Sequence, residues 1–171
     1  MDQTFMKEKK IGPLVLSMAF PMMLSMAFTS LYNIVDSYFV AKLSEDAMTA
    51  LSLVYPAQNL LTAIAVGFGV GINALIAFYL GAGDQKRADK TATQGKERGT
   101  LHGLVPMAVF LLGMSRFLGL FTESRQVLTL GCQYSKVVFL FSVVVTAGIT
   151  LEKIFQAVGQ MRATMISMIA G

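Results

Sequence analysis

Residues 11–40, IGPLVLSMAFPMMLSMAFTSLYNIVDSYFV, form an apolar stretch that carries a single charged side chain, Asp36. About 20 mostly apolar residues suffice for a helix to cross roughly 30 Å of hydrocarbon. The stretch is therefore predicted to span a membrane and, being longer than needed, to tilt, to bend near Pro21 or to protrude. The whole chain has the same character, with 171 residues, 54% apolar, 14% charged and a mean hydropathy of +0.61. Because soluble chains carry about 25% charged residues, this composition excludes a disordered tail and disfavours a soluble domain.

Further apolar segments predict an all-α, polytopic transmembrane helical bundle. Four spans are expected at about 11–40, 47–80, 100–121 and 127–155, and a fifth helix is expected to start near 165. Residues 1–10 are expected to form a basic arm, followed by one partial lobe over 11–171. The charged segment 81–99 is expected to connect the second and third spans outside lipid. Its GAGD sequence at 81–84 follows a span rather than a strand, which favours a helix end and turn over a nucleotide loop.

The basic residues alternate between the two sides of this predicted topology. Ten of the 14 fall on the side of the N-terminus: Lys7, Lys9, Lys10, Lys86, Arg87, Lys90, Lys96, Arg98, Lys153 and Arg162. Loops rich in lysine and arginine stay in the cytoplasm, so the chain is expected to be a multi-pass protein of the inner or plasma membrane with a cytoplasmic N-terminus. A cleaved signal peptide is the alternative for the first apolar run, although apolar sequence continues well beyond the length of such a segment.

Several classes of function find no support in the residues. The single Cys132 cannot form an internal disulfide, and His102 has no partner histidine or carboxylate cluster, so no metal site is expected. No arrangement of serine, cysteine or histidine supports hydrolysis, so neither an enzyme nor a cofactor is expected. The basic clusters lack interleaved aromatic residues, which argues against a nucleic-acid partner. Membrane lipid is the expected surrounding.

Asp36 is the candidate functional residue. A carboxylate within a span costs several kcal/mol unless it faces protein or water. Helical spacing places it on one polar stripe, which could line a wet cavity where protonation would switch its charge. The members of the stripe are Ser25, Thr29, Asn33, Asp36 and Ser37. The alternative is that Asp36 lies near the outer interface and is simply solvated.

The second span carries three further candidate features. Gly67 and Gly71 form a GxxxG pair with Gly69 between them, which predicts close helix packing or a hinge, and Pro56 interrupts the backbone hydrogen bonding. Gln58, Asn59, Thr62 and Asn73 predict either interhelical hydrogen bonds or contact with a substrate. In the fourth span, Glu152 and Lys153 are neighbours about 100° apart on a helix. They are therefore expected not to pair but to be hydrated separately.

Five stretches together resemble the multidrug and toxic compound extrusion (MATE) family, most of all its MepA-like bacterial branch. They are LYNIVDSYFV at 31–40, EDAMTALSLVYP at 45–56, GFGVGINALI at 67–76, GAGD at 81–84 and LEKIFQAVG at 151–159. The resemblance implies about twelve helices in two six-helix lobes, with substrate bound between the lobes. It therefore implies that this chain is an N-terminal fragment, whose partner is the missing C-terminal lobe or a full-length copy.

The resemblance also implies a secondary antiporter that exports small cationic, lipophilic compounds in exchange for protons or sodium ions. Asp36 matches the first-helix aspartate that the family uses for cation coupling, and Asn33 and Tyr32 lie beside it in the same motif. Two alternatives remain open. One is a lipid-linked oligosaccharide flippase of the same superfamily, whose cavity would need several basic residues. The other is a truncated membrane protein that does not transport.

Overall fold

The computed structural model describes residues 10–170, which form seven helices and no strand. The helices are α1 (Ile11–Leu43), α2 (Glu45–Gly81), α3 (Gln85–His102), α4 (Leu104–Gly119), α5 (Arg125–Leu140), α6 (Ser142–Ala157) and α7 (Met161–Ala170). The predicted all-α bundle is confirmed. The arm predicted over 1–10 lies outside the described residues except for Lys10, which precedes α1.

Three helical segments are long and apolar enough to cross a membrane: Ile11–Leu43, Glu45–Gly81 and Gln85–Gly119. Helices α5 and α6 together are also long and apolar enough, but they meet at an angle of 47°. They make a fourth span if this bent pair is counted as one. The predicted spans 11–40 and 47–80 thus lie within α1 and α2, while the predicted 127–155 span is broken at Phe141. The helix predicted to start near 165 begins earlier, at Met161.

The charged segment 81–99 is helical for most of its length, so the helical segment that contains the predicted third span begins before residue 100, at Gln85. α2 ends at Gly81, Gly83 takes a positive φ of 76°, and the Asp84 carboxylate accepts a hydrogen bond of 3.0 Å from the Arg87 amide. This turn agrees with the helix end expected at GAGD. α3 then packs against α2 and α6 through buried small residues, so sequence that is too charged for lipid can still be packed on one face.

Two kinds of packing hold the bundle together. An apolar core joins α2, α4 and α5 through Val54, Ala57, Leu61, Met114, Leu118 and Phe139, with the Phe110 and Phe139 rings stacked 4.4 Å apart. On the other side α3 approaches α6 closely, because Gly99 lies against the Thr150 side chain and Gly103 against Thr146. The Ser142 hydroxyl donates to the Gly103 carbonyl at 3.0 Å. The breaks between α3 and α4 and between α5 and α6 are therefore packed together.

Candidate functional site

A cavity of about 720 Å³ opens between α1, α2 and α5. Most of its lining residues carry a polar group: Thr29, Asn33, Ile34, Asp36 and Ser37 from α1, Leu51, Tyr55, Gln58, Asn59 and Thr62 from α2, and Tyr134 from α5. Four of the five members of the predicted stripe on α1 therefore face one space. The fifth, Ser25, is buried and donates its hydroxyl hydrogen to the Pro21 carbonyl at 3.0 Å.

Among the described residues, Asp36 is the only acidic or basic side chain in the lining, which includes no lysine, arginine, histidine or second carboxylate from that part of the chain. Within residues 10–170 its carboxylate has no basic nitrogen within 4 Å; the two ion pairs found there are Arg87–Asp84 and Lys153–Glu152. The Asp36 side chain is exposed in the structure and is open to the cavity. The cavity thus contains one carboxylate that has no basic partner among the described residues.

Helical spacing on α2 explains why polar side chains collect opposite Asp36. Tyr55, Gln58, Asn59 and Thr62 recur every three or four residues and face the cavity, while Val54, Ala57 and Leu61 are buried in the core on the other side. The Gln58 Nε2 donates to the Tyr134 hydroxyl at 3.2 Å, which ties α2 to α5 across the cavity wall. The core therefore fixes which face of α2 is presented to Asp36.

Tyr32 and Asn73 are not part of this cavity. The Tyr32 hydroxyl donates to the Ile169 carbonyl of α7 at 3.2 Å, and the Asn73 Nδ2 donates to the Lys153 carbonyl of α6 at 2.8 Å. Each side chain thus joins two helices. The structure brings Asp36 and Asn33 together with Gln58 and Asn59, and separates Tyr32 and Asn73 from them.

The MatE family profile matches residues 21–171. This chain belongs to the MatE family. It is 28% identical over 171 residues to the multidrug export protein MepA of Staphylococcus aureus (strain NCTC 8325 / PS 47), covering 99% of this chain and 38% of that protein. It is 26% identical to MepA of Staphylococcus haemolyticus (strain JCSC1435), covering 97% of this chain and 37% of that protein. The chain therefore spans less than two-fifths of the length of these curated relatives.

Solved structures share the MatE fold. A crystal structure of a MATE mutant superposes with a TM-score of 0.91 at 22% identity, covering 99% of this chain and 38% of that one. The outward-facing conformation of a multidrug resistance MATE family transporter of the MOP superfamily superposes with a TM-score of 0.87 at 23% identity, covering 91% and 35%. At these identities the likeness establishes the fold alone.

In the glycine-rich stretch 67–71 of α2, Gly69 rather than the GxxxG pair makes a close contact. A Cβ at Gly69 would lie 2.7 Å from the Lys153 Cγ, whereas at Gly67 or Gly71 it would meet nothing within 4 Å in the described part of the chain. Gly67 and Gly71 instead line a second cavity between α2 and α3. Pro56 lies inside α2, which remains helical on both sides of it.

The prediction that Glu152 and Lys153 do not pair is wrong. The Lys153 Nζ lies 3.1 Å from the Glu152 Oε1, and it also donates to the Gln156 Oε1 at 3.1 Å. The Gln156 Nε2 donates to the same Glu152 oxygen at 2.6 Å. The side chains of Lys153 and Glu152 are only 14% and 20% exposed. Neighbouring side chains do diverge on a helix, but their long stems meet here because Gln156 bridges them at helical spacing.

Tyr134 and Tyr55 are lining residues that sequence reasoning did not select. Tyr55 stands next to Pro56 in a stretch quoted for the family resemblance, and its spacing of three from Gln58 was the available signal. No sequence signal pointed to Tyr134, because its place in the cavity depends on how α5 packs against α2. His102, which does not line this cavity, contacts Phe68 in a tilted arrangement with ring centroids 3.9 Å apart.

Proposed function

We propose that this chain supplies the cation-binding part of a secondary active efflux transporter, which exchanges small cationic, lipophilic compounds for protons or sodium ions. The observation that carries the proposal is the Asp36 cavity. It has about 720 Å³, enough for a drug-sized molecule, and one negative side chain without a basic partner among the described residues.

One unpaired carboxylate explains exchange in physical terms. A cationic substrate and a coupling ion would each neutralise Asp36, and binding of one would lower the affinity for the other. Asn33 lies one helical turn before Asp36 and lines the same cavity, so we assign it a supporting contact with the coupling ion. Tyr32 lies outside the cavity, so the proposal rests on Asp36 and Asn33.

The apolar and aromatic part of the lining supports a lipophilic substrate. Tyr55 is 62% exposed and Tyr134 lies across from it, and aromatic faces attract organic cations. Gln58 and Asn59 add hydrogen-bonding groups on the same wall. A flippase of lipid-linked oligosaccharides would need basic residues for a pyrophosphate, and the cavity lining has none.

The names of the relatives agree with this proposal. The staphylococcal proteins are multidrug export proteins, and this chain matches less than two-fifths of their length. We therefore propose that the chain works together with the remaining length, either in one longer protein or as a separate partner. We place it in the cell membrane with its N-terminus in the cytoplasm, as the distribution of basic residues favours, and without any cofactor beyond the coupling ion.

The test is the efflux of ethidium, a fluorescent lipophilic cation, from cells that express the full-length transporter containing this region. Asp36→Asn keeps the size of the side chain and removes its charge, and it should reduce gradient-driven efflux at least tenfold with unchanged protein level. The matched control is Glu45→Gln, which removes an exposed carboxylate outside the cavity lining at the start of α2. Undiminished efflux by Asp36→Asn would refute the assignment.

A second measurement separates transport from a structural role. The chain alone, reconstituted into liposomes with a proton or sodium gradient, should not move ethidium, because alternating access needs two repeats that rock about a central site. Gradient-driven flux by the chain alone would instead indicate a homo-oligomeric transporter.

A further inference from the structure

A second cavity, separate from the Asp36 cavity, lies between α2 and α3 and has a volume of about 450 Å³. We call it the α2–α3 groove. The lining is provided by Gly67, Phe68, Gly71, Ile72 and Leu75 of α2 and by Thr91, Gln94, Gly95, Arg98 and Gly99 of α3. The proposed efflux mechanism assigns no role to any of these residues as contacts for the transported substrate or coupling ion.

The glycines of the groove lie in two different packing environments. Gly95 and Gly99 lie at the bottom, where α3 packs closely: a Cβ at Gly95 would be 2.7 Å from the Ile72 Cγ2, and one at Gly99 would clash with Thr150. Gly67 and Gly71 lie on the α2 wall, where a Cβ would meet no atom of residues 10–170 within 4 Å. Gly95 and Gly99 thus allow α3 to pack closely on α2 and α6, respectively, whereas Gly67 and Gly71 leave open space on the α2 wall.

The two walls of the groove differ in polarity. The α2 wall is apolar, and its Phe68 and Leu75 are 49% and 44% exposed. The α3 wall presents Thr91, Gln94 and Arg98 at spacings of three and four, on one helical face. Within residues 10–170, Arg98 has no carboxylate within 4 Å, so its charge is uncompensated there. The groove therefore suits an amphipathic molecule with an anionic end.

The position of the groove along the chain matches the border of a bilayer. α3 is rich in charge, whereas α4 begins at Leu104 and is apolar, so the third span enters hydrocarbon near the break between them. Arg98 precedes this break by about one helical turn. Residues 84–99 contain five basic and three acidic side chains, which leaves a positive excess at this level. Such basic sites between helices attract anionic lipid headgroups.

From this arrangement we propose that the α2–α3 groove binds an anionic phospholipid. One acyl chain lies along Phe68, Ile72 and Leu75, and the phosphate is held by the guanidinium of Arg98 and the amide of Gln94. Charge complementarity with Arg98 selects an anionic headgroup over a zwitterionic one. The glycines at 67 and 71 provide the room for the acyl chain.

The experiment measures lipid binding to the purified chain by native mass spectrometry, with phosphatidylglycerol or phosphatidylcholine of the same acyl chains. We expect phosphatidylglycerol to bind about five-fold more tightly. Arg98→Gln should remove this preference. Lys96→Gln, which removes an exposed charge two residues away and outside the groove, should retain most of it.

Filling the groove tests the position of the acyl chain. Gly71→Leu should weaken binding of both lipids at least five-fold, and Gly113→Leu, at an open position of α4, should not. Gly67→Leu provides a second filling variant, and circular dichroism checks the helix content of each. Equal binding of the two lipids by the unaltered chain would overturn the anionic assignment. Two results would overturn the phospholipid as the occupant of the groove. One is lipid binding that is unchanged in both Gly71→Leu and Gly67→Leu. The other is a dimer of the unaltered chain that these two variants abolish, which would make a second copy the occupant.

Discussion

Replacing Gly69 with alanine is expected to destabilise the packing of α2 against α6, whereas the same replacement at Gly71 is not. A Cβ at Gly69 would lie 2.7 Å from the Lys153 Cγ and 3.3 Å from its Cβ. Carbon atoms in favourable contact are about 3.5–4.0 Å apart, so the Lys153 stem or one of the helices must move by about 1 Å. At Gly71 the new methyl group meets no atom of the described part of the chain within 4 Å.

Lys153 cannot easily move aside, because it is held at both ends. Its ammonium group lies 3.1 Å from the Glu152 and Gln156 oxygens, and its carbonyl accepts a hydrogen bond of 2.8 Å from Asn73. Inserting a methyl group into a packed site of this kind costs about 1–3 kcal/mol. Alanine has a higher helix propensity than glycine, by up to about 1 kcal/mol, but this gain is common to both variants. The difference between them therefore isolates the contact.

The single cysteine of the chain supplies the assay. Cys132 is partly buried against the apolar core, so a thiol-reactive fluorescent dye labels it when the bundle unfolds. In detergent, Gly69→Ala is expected to melt about 5 °C below Gly71→Ala, since a domain of this size shifts by about 2–4 °C per kcal/mol. Equal melting temperatures for the two variants would refute the reasoning that Gly69 is the close contact.

Two further predictions concern other parts of the packing. Phe139→Ala should lower the free energy of unfolding by about 3–5 kcal/mol, because this ring is 0% exposed in the core, while Val137→Ala, at a side chain that is 59% exposed, should cost much less. Thermal unfolding followed at Cys132 measures both, and a similar loss for the two would contradict the assigned core. Ser142→Ala should cost about 1 kcal/mol by removing the hydrogen bond to the Gly103 carbonyl. Faster hydrogen exchange in α4 near Gly103 should accompany that loss, and unchanged exchange would argue against the contact.

Apolar runs determined the membrane-spanning class, because a span needs only length and hydropathy, and both can be read along the chain. The first and last residues of each helix could not be predicted from length and hydropathy alone. α3 is charged enough to resemble a loop, yet Gly95 and Gly99 give it a flat face that packs on Ile72 and Thr150. Such packing depends on residues far away in sequence, so composition alone placed the start of the helical segment too late.

The sequence by itself determined that Asp36 lies on a polar helical stripe with Asn33, because side chains on one helix repeat with a fixed period. Only the tertiary structure decided which residues face that stripe, since the core of α2, α4 and α5 sets the rotation of α2. It thereby turned Gln58 and Asn59 toward Asp36 and brought Tyr134 into the lining, while Asn73 contacts α6. Periodicity fixes relations within a helix, whereas relations between helices arise from packing, which no local pattern encodes.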